Sequence, residues 1–237
     1  MKKLLLIPSL SVLAFASCDF NRVQGDGHVV SKSFDKTGFK DIDASSAMHV
    51  MLKQGTDYSV RIDAEKNILD LIEVRKEGDE LVVGFKDNVS VGPTKDIKVY
   101  ITAPEFRNLE ASGASTFSNT DVITGNEIKL GLSGASNANL NVNVNKLNVE
   151  ASGASEIEVK GKAVYFAVDG SGSTSVSAFQ LISENAEIEL SGAGDAKVFV
   201  SKSLKADISG AGDVQYKGNP ATVNKEISGA GSVSKAD

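Results

Sequence analysis

One tripeptide pattern limits what this chain can fold into. Ser-Gly followed by a small residue occurs seven times, at Ser112-Gly113-Ala114, Ser133-Gly134-Ala135, Ser152-Gly153-Ala154, Ser171-Gly172-Ser173, Ser191-Gly192-Ala193, Ser209-Gly210-Ala211 and Ser228-Gly229-Ala230. The intervals are 21, 19, 19, 20, 18 and 19 residues. A period this short marks a stacked-repeat architecture, in which no unit can bury its apolar face without its neighbours.

The flanks repeat with the corners. Three residues before each Ser stand Leu109, Leu130, Val149, Val168, Ile188, Ala206 and Lys225, and five residues after it Phe117, Ala138, Ile157, Val176, Ala196, Val214 and Val233. Polar residues fill most places between. Alternation with period two predicts strands with one buried face. About nineteen residues leave no room for a helix beside two strands. The expected fold is therefore all-β: a parallel β-solenoid, right-handed by the general preference of parallel crossovers. Like residues should stack in columns about 4.8 Å apart. The glycines at 113, 134, 153, 172, 192, 210 and 229 suit a corner with positive φ. The corner serines are expected to bond local backbone groups.

The frame extends in both directions. Ile42, Ala44, Ser45, Ser46, Val50 and Leu52 form a degenerate copy in which Ser46 replaces the glycine. Between it and the regular array, 58–63, 80–85 and 97–102 alternate like strands, 64–71 can form one helical turn, and Gly78-Asp79 suits a hairpin. These features predict a β-meander. At the far end, Lys225 interrupts an apolar column and Pro220 removes a ladder donor, as expected of a terminal cap.

The first residues have a different purpose. Lys2 and Lys3 precede a short apolar run, Leu4–Ala16, broken by Pro8. It is shorter than the roughly 20 residues a membrane helix needs, and fits a signal peptide over 1–17. Phe15-Ala16-Ser17-Cys18 resembles a bacterial lipobox, and Cys18 is the only cysteine of the chain. Acylation at Cys18 would hold the protein on a membrane, with 18–37 as linker and 38–237 as a single head domain (38–104 irregular, 105–237 regular repeats). The expected location is the cell envelope at the outer membrane, on either face.

Charge and composition remove several functions. Residues 1–17 hold two lysines and no acid, leaving 31 acids against 23 bases in the remainder. That excess opposes binding to nucleic acid. His28 and His49 lie too far apart in sequence for a helical metal motif, and no cofactor fingerprint is complete. Four residues after the corner serines, Asp195 and Asp213 should be neighbours on adjacent coils. They are weak candidates for a Ca²⁺ site, against a solvated edge as the alternative.

The segments Ile42-Asp43-Ala44-Ser45, Asn67-Ile68-Leu69, Val99-Tyr100-Ile101-Thr102-Ala103-Pro104 and Leu109-Glu110-Ala111-Ser112-Gly113-Ala114 resemble, in order and spacing, the putative auto-transporter adhesin, head GIN domain family. The resemblance covers roughly 38–220. It implies an exported β-solenoid, common among envelope lipoproteins, with adhesion suggested by the name and no catalytic residues to carry over. Three functions are open: a non-catalytic module binding an envelope protein or glycan, a structural or regulatory lipoprotein without a ligand, and a polysaccharide-active enzyme. The low aromatic content, without tryptophan, weighs against the enzyme.

Overall fold

The computed structural model describes residues 22–237; the signal-peptide segment and Cys18 lie outside the described residues. The described chain is almost entirely strand. It begins with β1 (Arg22–Gln24) and β2 (Val29–Phe34), followed by β3 (Asp41–Ala44) and β4 (Met48–Gln54) on either side of the degenerate corner. Next come β5 (Ser59–Glu65), the single helical turn α1 (Lys66–Leu69), β6 (Ile72–Glu77), β7 (Glu80–Phe85), β8 (Ser90–Gly92) and β9 (Ile97–Ala103). The regular array holds β10 (Asn108–Ala111), β11 (Thr116–Asn119), β12 (Ile123–Leu132), β13 (Asn137–Ala151), β14 (Glu156–Gly172), β15 (Ser175–Gly192) and β16 (Asp195–Gly210). It ends in β17 (Asp213–Lys217), β18 (Thr222–Gly229) and β19 (Ser232–Lys235).

The expected columns are present. Leu109, Leu130, Val149, Val168, Ile188 and Ala206 pair in register from coil to coil, and all are buried. Phe117, Ala138, Ile157, Val176, Ala196 and Val214 form the second column beyond the corner. The stack makes about seven turns of about 19 residues. From β13 to β16 each strand runs almost from one corner to the next. A coil bends without leaving the ladder, so nearly every backbone group pairs with the coil above or below.

The glycine corners carry the positive φ their column required: +75° at Gly113 and Gly134, +83° at Gly153 and +84° at Gly172. A Cβ on Gly153 would lie 2.4 Å from the carbonyl oxygen of Gly134, so the corners stack backbone on backbone. The degenerate copy is a true coil: Ile42 pairs with Leu109 and Val50 with Phe117. Lacking the glycine, it places Ser46 at φ +73° and Ala47 at +61°, a conformation non-glycine residues adopt at some cost.

Two expectations need correction. The stretch after the first copy is not a simple meander. The Gly78-Asp79 hairpin joins antiparallel β6 and β7, and β5 runs antiparallel to β9, but β7 and β9 also stack parallel on β3 and β4, with Val83 on Ala44 and Val99 on Val50. They supply a further coil beneath the first copy. Its corner is an eleven-residue connection (86–96) without Ser-Gly, so no period announced it. The corner serines meet their expectation only at Ser171, whose hydroxyl donates to the Ala151 carbonyl at 3.5 Å. Ser133, Ser152, Ser191 and Ser209 are exposed, whereas the residues three positions later, Ser115, Ser136, Ser155 and Thr174, are buried. Ser136, Ser155 and Thr174 donate back to the carbonyls of Ser133, Ser152 and Ser171 at 2.7, 3.2 and 3.2 Å. A buried hydroxyl needs that partner. Where Gly194 and Gly212 take over this position, a Cβ would meet backbone oxygen at 2.6 and 2.3 Å.

Both ends are informative. In the segment expected as linker, β1 pairs with β8 and β2 runs antiparallel to β5 over Val29–Phe34. At the far end β18 and β19 continue the ladder in register. Lys225, standing in an apolar column, reaches across to donate to the Val233 carbonyl at 2.7 Å. The final coil is thus closed by a charged side chain, a common defence of an exposed edge.

Candidate functional site

The repeat that positions the core also positions an acidic column. Side chains two residues before each corner point away from the core, because strand residues alternate faces. Asp43, Glu110, Gly131, Glu150 and Asp169 pair in register, and Glu189, Asp207 and Glu226 continue the column. Gly131 is its one neutral member. This column escaped the sequence reading although it lies in the same frame as the corners; the signal was an acid two places before six of the seven Ser-Gly pairs.

Like charges directly opposite on neighbouring strands oppose pairing. Lys205 relieves this at Glu189, 3.6 Å away, and bonds Glu187 at 2.6 Å. Among the described residues, Asp43, Glu110, Glu150 and Asp169 have no ion-pair partner. Burial raises the Asp43 carboxyl above its ordinary value. Glu80, beside the base of the column, is raised by burial first and then by the charges of Asp43 and Glu110. The unpaired acids and the corner serines Ser112, Ser133, Ser152 and Ser171 line a shallow, open cavity of about 490 Å³. Such a face can receive cationic or hydrogen-bond-donating groups spaced along the coil axis.

The neighbouring face is braced. Tyr165 donates to Glu187, which pushes the phenol up to about 12. Lys205, and after it Tyr165, hold the Glu187 carboxyl below its ordinary value. Arg107 bonds Asp41 at 2.9 Å and Asp79 at 3.1 Å, tying the first regular coil to the hairpin.

Asp195 and Asp213 are indeed opposite one another. Asp195 Oδ1 accepts the Asp213 backbone N–H at 3.1 Å, and Asp213 Oδ1 accepts the Ser232 hydroxyl at 2.6 Å. Both carboxylates serve as inter-coil acceptors, and Ca²⁺ needs six to eight oxygens. Among the described residues no group of three or more potential ligands converges for a metal. Replacing both by Asn is therefore expected to leave the melting temperature insensitive to millimolar Ca²⁺, as in the parent. A Ca²⁺-induced rise in the parent that disappears in the double variant would contradict this. His28 and His49 are exposed.

Stacked coils with one open, acid-lined face define a class, the parallel β-solenoid head module. The chain belongs to the putative auto-transporter adhesin, head GIN domain family, which it matches over residues 38–220. Its fold is that of a "putative adhesin" from Bacteroides fragilis, at 22% identity and TM-score 0.86, with 90% of this chain and 100% of that one covered. A second "putative adhesin", from Parabacteroides distasonis, gives 23% identity and TM-score 0.77 over 91% of this chain and 100% of that one. A "putative lipid binding protein" from the same species gives 21% identity and TM-score 0.77 over 91% and 100%. No curated protein matches the chain. An adhesin-like role at the cell surface or envelope accords with this family. Among the described residues no helix is long and apolar enough to cross a membrane.

Proposed function

We propose that this protein is a lipid-anchored, non-catalytic envelope adhesin whose head binds a macromolecule, an envelope protein or a glycan, along the acid-lined face. The observation that carries this reading is the acidic column itself. Seven of its eight places are acidic, and in-register repulsion opposes the stack. A charge pattern unfavourable to folding yet repeated over the whole length is accounted for by what it contacts. Extended, regular surfaces are the usual binding asset of solenoids.

The test is a binding screen of the full chain against glycans and envelope proteins, repeated with the Glu110→Gln, Glu150→Gln, Asp169→Asn variant. Ligands that bind the parent and are lost in the variant support the reading. Ligands bound equally well by both would move the site elsewhere. No ligand at all would favour a structural or regulatory lipoprotein.

The anchor has its own test. Cys18→Ser is expected to abolish labelling by radioactive fatty acid and to move the protein into the soluble envelope fraction or stall it as precursor. Continued labelling of that variant would refute the anchor. Several acyl chains would be needed for stable attachment, because one chain gives only marginal binding.

A further inference from the structure

Glu65 is the only buried charged side chain among the described residues, 1% exposed. It ends β5, and no ion pair neutralises it there. Its carboxylate is instead held by donors from two other segments. Thr94 donates its hydroxyl at 2.5 Å and its N–H at 2.8 Å. Lys95 N–H donates at 3.3 Å, and Gly27 N–H at 2.6 Å. Thr94 and Lys95 belong to the connection before β9. Gly27 belongs to the strap of chain that begins with β1 and leads to β2.

The strap fits closely around this group. A Cβ on Gly25 would lie 2.0 Å from Glu65 Oε2, so any side chain there would push the carboxylate off its donors. Gly25 N–H bonds the Gly92 carbonyl at 3.0 Å, and Asn67 Nδ2 bonds the Gln24 carbonyl at 2.8 Å. The ionisable neighbours are Asp26 and His28 on the strap, Lys66 on α1, and Lys95 and Asp96 on the connection. None of them pairs with the Glu65 carboxylate through a side chain: Asp26 Oδ1 accepts the His28 N–H at 2.9 Å, and Lys66 N–H donates to the His28 carbonyl at 2.9 Å.

We propose that Glu65 is a latch that fastens the strap, residues 22–28, to the head and so keeps the membrane tether short. The consequence for reach rests on the anchor at Cys18; the latch does not. With the strap closed, the chain from Cys18 to Arg22 spans at most about 14 Å, at roughly 3.6 Å per residue. With the strap released and β2 still paired to β5, the free stretch runs to Val29 and spans up to about 40 Å. The closed latch holds the N-terminal coils against the bilayer surface, and the open latch frees the head to swing.

Acid provides a way to open it. The Thr94 hydroxyl, followed by the backbone N–H groups of Thr94, Gly27 and Lys95, outweighs burial and holds the Glu65 carboxyl below its ordinary value. A depressed folded value means that the latch stabilises the closed strap above the ordinary glutamate range. That contribution is lost as pH falls through the folded value.

Hydrogen exchange on the full chain tests this at the amides of Gly25, Gly27, Thr94 and Lys95, corrected for intrinsic rates. In Glu65→Gln at neutral pH these amides should exchange about tenfold faster or more, while those of β14–β16 keep their protection. The parent should show the same local loss in acid before the solenoid opens. Thr94→Val, which keeps the carboxylate and removes one donor, should raise the pH at which the strap opens. Strap protection unchanged in Glu65→Gln, loss only together with the whole head, or an unmoved opening pH in Thr94→Val would each overturn the latch. Fatty-acid labelling reports separately on the anchor, so a chain without acylation would remove the consequence for reach and leave the latch standing.

Discussion

Phe166→Ala is expected to lower the unfolding free energy by about 3–5 kcal/mol, the usual cost of deleting a buried aromatic side chain. Phe166 is 1% exposed. It stands in register between Leu147 of the coil before and Ala186 of the coil after. The small Ala186 leaves the space that the ring occupies, so truncation opens a cavity between stacked backbones. Those backbones are fixed by ladder hydrogen bonds and cannot collapse into it. Ser155→Ala provides the comparison. Its hydroxyl makes one local bond to the Ser152 carbonyl, and its removal should cost under about 1 kcal/mol. Denaturant titration of both variants reads the difference. Equal losses would mean that the column register is wrong.

The second large effect is a contrast between two glycines. Gly153→Ala is expected to destabilise by more than about 2 kcal/mol, since it combines a left-handed φ of +83° with a clash against backbone. The struck atom, the Gly134 oxygen, already accepts the Ala154 N–H at 2.8 Å; relieving the clash would break the corner ladder. Gly131, in the acidic column, is under no such constraint. Its nearest neighbour to a new Cβ would be Glu110 Cγ at 3.5 Å, an ordinary contact. Gly131→Ala should therefore be neutral or raise stability by about 0.4–1 kcal/mol, through a less flexible unfolded chain. Thermal melts decide. Tolerance at Gly153, or a large loss at Gly131, would sink the account of which glycines the corners require.

The core was legible because strand residues alternate faces and the solenoid repeats that alternation at a nearly constant interval. Leu109, Leu130, Val149 and Val168 could be aligned by counting from a Ser-Gly corner, and the ladder aligns them in the same way. The acidic column lies in the same frame, but outward acids on a strand are the ordinary solvated face, and only the parallel register brings them opposite one another. The local backbone bonds expected of the corner serines are made instead by the hydroxyls three residues later, at Ser136, Ser155 and Thr174. A turn shows which residues lie near one another but not which of two hydroxyls faces inward, and that choice depends on corner geometry.

What the amino-acid order determined by itself is periodic: coil length, strand faces, the glycine corners and the family match. These follow from local sterics and from burial repeated at one interval. Tertiary structure alone decided what lies off the period. β7 and β9 form a coil beneath the first copy although they follow it in the chain, because their apolar faces bury there and the connection is long enough to permit it. Glu65, Gly27 and Thr94 converge from three segments that share no motif. A buried carboxylate needs several donors, and only the folded chain brings them to one point.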